Sequence, residues 1–321
     1  MIETKPCDPE KTRVTVVDGG YGGEREISFI SANACIEALK KEGFPVTEAV
    51  VGRREFLQEL IESEPDVVFI MVHGRAGEDG TVQGLCEMLH YRYTGSGVLA
   101  SALGFDKIRT KNMYKSVNLP TPAWAELLRG DEYNAQELFD AMKGKCVVKP
   151  SHEGSSIGTR VAHSVEELDY AIKEAFDRDK EVLVEEFIEG TEVTVGVLGN
   201  ENPMPLPVIE IEVPERTDHY DYESKYTPGA AGGAKHILPA RINEELTMQC
   251  KMFALIAFGA LGCKGMARTD MIISKDDNTP YLIETNTIPG MTRTSLLPDA
   301  AAAEGISFSE LCKMIIELAL E

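Results

Sequence analysis

The chain has 321 residues, 43% hydrophobic and 26% charged, enough for two or three domains with large cores. A net charge of −21 excludes a nucleic-acid or anionic-membrane surface, and any anionic substrate must meet locally placed Lys and Arg. No apolar run reaches membrane-spanning length, no signal peptide is legible, and seven scattered cysteines without zinc or CxxC spacing read as buried thiols in a reducing cytoplasm.

Thr12–Val17 reads as a buried parallel strand entering the Gly-rich turn Asp18–Gly23, with a helix from about Ile27 to Gly43. Val67–Val72 is a second buried strand, leading through His73–Gly80 to a helix over Thr81–Leu89. This alternation predicts a small parallel α/β domain with function at the carboxyl ends of its strands. After about residue 105 the pattern changes. Helices are expected over Lys107–Val117 and Asn134–Met142, then a hairpin of Lys145–Lys149 with Ile157–Ala162. A capping box, Ser164 to Glu167, opens a helix to about Phe176, and Glu181–Phe187 is a strand. These make an α+β middle domain. Glu192–Leu198 and Met204–Glu212 are strands of a third domain, followed by a polar, Tyr- and Gly-rich segment, 218–240, long enough to be a functional loop. Asn243–Leu261 is a buried helix ended by Gly262, and Ser307–Glu310 caps the last helix. The expected divisions are 1–105, 106–190 and 191–321.

The strongest chemistry lies between those last two helices. Met266–Ser274 and Pro280–Thr285 flank the turn Lys275–Thr279 and read as an antiparallel hairpin. Side chains two apart on a strand share a face. Pairing Asp270 with Glu284 therefore pairs Arg268 with Asn286. Two carboxylates, an amide oxygen and a guanidinium then form a hard-oxygen patch suited to Mg²⁺ that also holds phosphate. The turn Pro289-Gly290 lets the backbone approach a ligand closely. Glu153–Gly158, after Val147-Val148-Lys149, offers backbone N–H groups and hydroxyls to phosphate beside Lys149. It is not a P-loop, and the first Gly cluster is not GxGxxG. Glu185, Glu186, Phe187, Ile188 and Glu192 suit an adenosine site, with apolar walls and a carboxylate for ribose hydroxyls. His90, His152, His163 and His236 carry no supporting constellation and read as structural.

Together these residues resemble the ATP-grasp superfamily, specifically bacterial D-alanine–D-alanine ligases. The resemblance is carried by Gly19-Gly20 with Glu24–Ser28, His73-Gly74-Arg75 with Gly77–Gly80, Tyr93–Gly97 and Asp106-Lys107. It continues through Val148–Pro150, Glu153–Gly158, Tyr220–Glu223, Lys225-Tyr226, Arg268, Asp270 and Glu284–Thr292. It implies a three-domain ATP-grasp architecture with an N-terminal parallel α/β domain. The implied reaction joins two D-alanines through an acyl phosphate made from ATP, for peptidoglycan synthesis.

The resemblance also implies roles. Glu24 holds the ammonium of the first D-alanine, in a hydrogen-bonded set with Ser155 and Tyr226, and His73 lies near its carboxylate. Lys107 and Lys149 bind ATP phosphates, and Glu185, Glu186, Phe187, Ile188 and Glu192 bind adenine and ribose. Arg268 stabilises the transferring phosphoryl group. Asp270 and Glu284 hold one Mg²⁺, and Glu284 and Asn286 a second; Mn²⁺ could serve. Lys225, Ser295 and the Leu296 backbone bind the second carboxylate, which places Ser295 at the catalytic centre. Residues 218–240 form a lid. A cytoplasmic homodimer is implied. Departures are Asp18 where an apolar residue is usual, Gly22 for Ser, Thr269 for Ile or Val, and a Gly- and Ala-rich Thr227–Lys235. Rival readings are a ligase forming D-Ala–D-lactate or D-Ala–D-serine, a non-catalytic ATP-binding module, and an NAD-binding Rossmann oxidoreductase.

Overall fold

The computed structural model describes residues 4–212, 234–292 and 294–321. It contains three sheets. In the first, strands β1 (Val14–Gly19), β2 (Val46–Val51) and β3 (Val67–Ile70) are parallel in the order β2-β1-β3. β1 and β3 are buried throughout, as continuous β-branched runs in a parallel sheet require. Helices α1 (Arg25–Lys41), α2 (Phe56–Glu62) and α3 (Thr81–Leu89) complete this unit. β2 and α2 are absent from the sequence expectations. β2 is buried over only its last three residues, and α2 buries only Leu60, so neither carries a strong apolar pattern.

Helices α4 (Val98–Phe105) and α5 (Lys107–Ser116) lead to a four-stranded antiparallel sheet. Its strands are β4 (Trp124–Leu128), β5 (Cys146–Pro150), β6 (Arg160–Ala162) and β7 (Glu181–Glu186), in the order β4-β7-β5-β6. Helices α6 (Ala135–Ala141) and α7 (Val165–Arg178) belong to it. β6 begins at Arg160, three residues later than the sequence suggests. Ser155, Ser156 and Gly158 take φ of 48°, 57° and 75°, which no strand accommodates. The expected capping box at α7 is half formed. Ser164 accepts from the Glu167 N–H, while the Glu167 carboxylate accepts from the His163 N–H instead.

The third sheet runs β11-β10-β8-β12-β13, with β9 beside β8. These are β8 (Gly190–Gly199), β9 (Met204–Pro205), β10 (Ile209–Glu212), β11 (Lys235–Ile237), β12 (Gly265–Ser274) and β13 (Pro280–Asn286). Helix α8 (Glu244–Leu261) ends at Gly262, whose φ of 73° closes it. Helices α9 (Leu296–Ala303) and α10 (Phe308–Ala319) follow, and α10 opens with the full capping box expected at Ser307 and Glu310. One core joins the first sheet to this part of the chain. Val16, Phe69 and Leu39 belong to the same buried cluster as Met266, Leu297 and Ile315. All seven cysteines are free thiols. No described helix is long and apolar enough to cross a membrane.

Candidate active site

The hairpin β12–β13 has the expected register: Arg268 opposite Asn286, Thr269 opposite Thr285, Asp270 opposite Glu284. Its two faces differ in kind. Thr269 and Thr285 point inward, 2.9 Å apart, and Tyr114 on α5 reaches Thr285 at 2.7 Å. That buried contact leaves the charged face, itself little exposed, toward the cavities. A bulge follows Asp270, where Met271 pairs with Leu282 and Ile283 is the extra residue. Arg268 grips Asp270 with two bonds, Nε to Oδ1 at 2.9 Å and Nη2 to Oδ2 at 2.7 Å. Thr194 donates to Asp270 Oδ1 at 2.5 Å, and the Asn286 amide reaches Oδ2 at 3.4 Å. Asp270 and Glu284 are like charges in direct register, which costs stability unless positive charge lies between. Arg268 supplies part of it. Two carboxylates and an amide form a donor set of the kind that holds Mg²⁺.

Two cavities meet at this hairpin. The larger, about 480 Å³, runs between the second and third sheets. Lys107, Lys149, Ser156 and Thr159 line one side, Phe187, Ile188 and Glu192 another, with Asp270 and Glu284 at the end. Glu185 and Glu186 also reach it. Glu185 has a more specific setting than sequence suggests. It is buried, with Lys111 2.9 Å away and Lys149 bonded to its other oxygen. Burial alone would raise this carboxyl, but the two ammonium charges hold it below its usual range. Lys111 is wholly buried. Desolvation lowers its pKa, against the attraction of Glu185. Two cations against one anion leave positive charge facing the cavity. Lys145 lies 3.6 Å from the Phe187 ring, adding a cation to that wall. Glu186 pairs with Lys143 at 2.6 Å.

The smaller cavity, about 80 Å³, lies across the hairpin, under α1 and α9. Glu24, His73, Ser155 and Arg268 line it, facing Glu284, Asn286, Ser295 and Leu296. Glu284 lines both cavities. Ser155 Oγ donates to Glu24 Oε1 at 2.5 Å. The Glu24 carboxylate sits between two glycines. A Cβ on Gly74 or Gly154 would lie 2.4 Å or 2.3 Å from Glu24 Oε2. His73 Nε2 bonds Ser31 Oγ at 3.0 Å, and its backbone N–H donates to Ser28 Oγ at 2.9 Å. Ser295 is the N-cap of α9, and its Oγ accepts from the Thr292 N–H at 2.9 Å. The N-terminus of α9 thus borders the cavity, an orientation that favours an anion.

Lys225 and Tyr226, like most of 218–240, lie outside the described residues. His236 is described. It bonds Asp299 on α9 at 2.7 Å. Sequence reasoning missed Lys111, Thr194 and Ser31, and gave no role of its own to Glu78, whose Oε1 accepts from the Gly74 N–H at 2.9 Å. The one available signal was Lys111, one helical turn beyond Lys107 on the same face.

A family model described as D-ala D-ala ligase C-terminus matches residues 113–317, and one described as D-ala D-ala ligase N-terminus matches residues 53–96. The D-alanine–D-alanine ligase of Carboxydothermus hydrogenoformans is 45% identical over 313 residues, covering 96% of this chain and 98% of that one. The crystal structure of the D-alanine–D-alanine ligase from Bacillus anthracis superposes with a TM-score of 0.84 at 34% identity, covering 96% and 97%. The same organism's ligase complexed with ATP gives 0.82 at 31% identity, with the same coverage.

Proposed function

This chain belongs to the D-alanine–D-alanine ligase family, and from that premise we propose how its two cavities divide the reaction. It joins two D-alanines with ATP, for peptidoglycan synthesis. The larger cavity takes ATP, and the smaller takes the two D-alanines. The observation that carries this division is Glu284, which lines both, with Arg268 beside it in the smaller and Asp270 beside it in the larger.

A carboxylate is a poor acyl donor because oxide is a poor leaving group. An oxygen of the first D-alanine carboxylate attacks the γ-phosphorus, the bond to the β-phosphate oxygen breaks, and ADP leaves. The amine of the second D-alanine then attacks the acyl carbon. The C–O bond breaks, inorganic phosphate leaves with that oxygen, and the new amide nitrogen sheds its proton. Phosphoryl transfer of this kind depends on alignment and charge neutralisation. Lys107 and Lys149 bind the phosphates, and Arg268 faces the charge that develops on the transferring group. Phe187 and Ile188 wall the adenine, with Glu186 and Glu192 on its polar edge and ribose. Glu185 acts through Lys149, whose ammonium it holds.

Glu24 holds the ammonium of the first D-alanine, fixed by Ser155 and, with Tyr226, excluding other orientations. His73 stands by the first carboxylate. Ser295 and the Leu296 N–H, at the start of α9, take the second carboxylate together with Lys225. Asp270 and Glu284 would hold one Mg²⁺ or Mn²⁺, and Glu284 and the Asn286 amide oxygen a second. Bound there, the ions would neutralise phosphate charge. Water hydrolyses acyl phosphates and must be kept from the site; the lid expected over 218–240 lies largely outside the described residues. The protein acts as a cytoplasmic homodimer, as the family resemblance implies.

Supplying ATP, Mg²⁺ and D-alanine with an excess of D-lactate or D-serine tests the substrate reading. D-Ala–D-Ala should dominate by mass, with one ADP per dipeptide. A predominant ester or D-Ala–D-Ser product would contradict it.

A further inference from the structure

His152 takes part in no step above. It immediately precedes the loop Glu153–Gly158. Its Nδ1 lies 2.8 Å from Asp179 Oδ2, and its Nε2 lies 3.3 Å from Asp106 Oδ2. Its backbone N–H also donates to Asp179 Oδ2, at 2.8 Å. A neutral imidazole has one N–H and one lone pair. A lone pair aimed at a carboxylate oxygen repels it. Both ring nitrogens can bond carboxylates only when both carry hydrogen, so this geometry calls for the cation.

The surrounding charges agree. Asp106 caps α5, which carries Arg109, and Asp179 and Lys180 lead from α7 into Glu181 at the start of β7. Arg109 lies 3.9 Å from Asp106 and 3.6 Å from Glu181, and Lys180 lies 3.4 Å from Glu181. Glu126 on β4 also lies 3.5 Å from Arg109, so four carboxylates surround an imidazolium, a guanidinium and an ammonium. The bonds to Asp106 and Asp179 push His152 up to about 9. Burial alone would raise Asp106 and Asp179, but the bonds from His152 hold both below the usual carboxylate range.

The cluster fastens several parts of the ATP cavity at one point. Asp106 caps α5 through the Arg109 N–H at 3.0 Å and accepts from Ser151 Oγ at 3.0 Å. The Lys107 N–H donates to the Ser151 carbonyl at 3.2 Å, and Lys107 Nζ to the Glu153 carbonyl at 2.5 Å. Beyond it, Ser155 and Ser156 hold left-handed φ, a conformation that side-chain-bearing residues keep only when their surroundings impose it.

We propose that His152 is a positioning residue of the ATP reaction, an imidazolium between Asp106 and Asp179 that sets the loop Glu153–Gly158 against Lys107. Nucleotide affinity falls when the ring loses its charge. This rests on the reading that the larger cavity takes ATP. Asp106, His152 and Glu181 also each present one ligand atom within 4.8 Å of one another, an arrangement a zinc ion could share. The test must separate the two.

Equilibrium binding of Mg–ATP to the full chain is measured between about pH 6 and about pH 10, for the native protein, His152→Gln and His152→Arg. The native protein should hold its affinity to about pH 8 and lose about tenfold by about pH 10. His152→Gln should bind about tenfold more weakly at neutral pH, without an added loss around pH 9. His152→Arg should keep the neutral-pH affinity and resist the alkaline loss, which separates the effect from titration of Lys107 and Lys149. The ring should titrate above pH 8 by NMR in the nucleotide-free protein. Native affinity and profile in His152→Gln, or a ring titrating near its ordinary value, would overturn the proposal. So would zinc raising the melting temperature of the native protein but not of His152→Gln. Absence of ATP binding by the native protein would overturn the cavity reading itself.

Discussion

Ser155 and Ser156 are adjacent in the chain, both left-handed, and they line different cavities: Ser155 beside Glu24, Ser156 beside Lys149. The turn that reverses the β5–β6 hairpin thereby becomes the partition between nucleotide and amino acid. Hairpin turns commonly place two consecutive residues at positive φ, but favour Gly, Asn or Asp there, not a pair of serines. The strain at these positions has a purpose, because it aims two neighbouring hydroxyls to opposite sides.

Gly154→Ala tests the amino-acid side of that partition. The added methyl would lie 2.3 Å from Glu24 Oε2, and Gly74 blocks the opposite direction. The carboxylate must shift, although the backbone need not. We expect kcat/KM for D-alanine to fall by about a hundredfold or more, with ATP affinity near native. Steady-state kinetics with D-alanine varied, paired with nucleotide binding, checks this. Native kcat/KM would remove Glu24 from ammonium binding.

The lysine pair under the ATP cavity gives a stability prediction. Lys111→Met leaves the buried Glu185 with Lys149 alone. Breaking a buried ion cluster costs on the order of 3 kcal/mol, whereas replacing the buried charges together with apolar groups can be neutral. Urea unfolding should therefore show a large loss for Lys111→Met and partial recovery in Lys111→Met with Glu185→Leu. The double variant should still bind ATP poorly, because Lys149 loses its support. Equal stability of native protein and Lys111→Met would contradict the charge pattern.

Asp18 supplies the pH dependence. It is fully buried at the end of β1, and neither carboxylate oxygen has a hydrogen-bond partner among the described residues. Burial, with the neighbouring Glu48 carboxyl, raises it from 3.8 to about 7, against Arg53 and Arg25. The folded state thus keeps a proton that the unfolded chain releases between those values. Its contribution to stability is greatest below the lower value and falls as pH rises through the interval. Asp18→Asn removes that dependence. Thermal melts should show the variant gaining several degrees over the native protein from pH 5 to pH 8. A constant difference across that range would mean that Asp18 is ionised in the folded state throughout.

Much of this molecule was legible because short-range rules apply where they should. The β12–β13 register followed from side-chain alternation and a five-residue turn, and Arg268, Asp270, Glu284 and Asn286 landed on one face. Helix α3 matched residue for residue because left-handed Gly80 and His90 punctuate it. β4 escaped notice as an edge strand with only Leu127 fully buried. α9 did so because Pro298 and a run of alanines carry little helical pattern. At the site, the pairings of Lys111 and His152 were opaque for a different reason, although the spacing of Lys111 from Lys107 was visible. Each is explained by partners on other elements, Glu185 on β7 for the first and Asp106 and Asp179 for the second. No local pattern announces such a pairing. His152 therefore read as structural until the fold brought both carboxylates to its ring.

The most direct measurement follows an oxygen atom. D-alanine labelled with ¹⁸O in both carboxylate oxygens is turned over with unlabelled ATP and Mg²⁺, and the released phosphate is analysed by mass. If phosphate passes across the hairpin onto the D-alanine carboxylate, each inorganic phosphate should carry one ¹⁸O, and each dipeptide should have lost one. Unlabelled phosphate released together with dipeptide would contradict the acyl phosphate and the joint placement of the two cavities around Glu284.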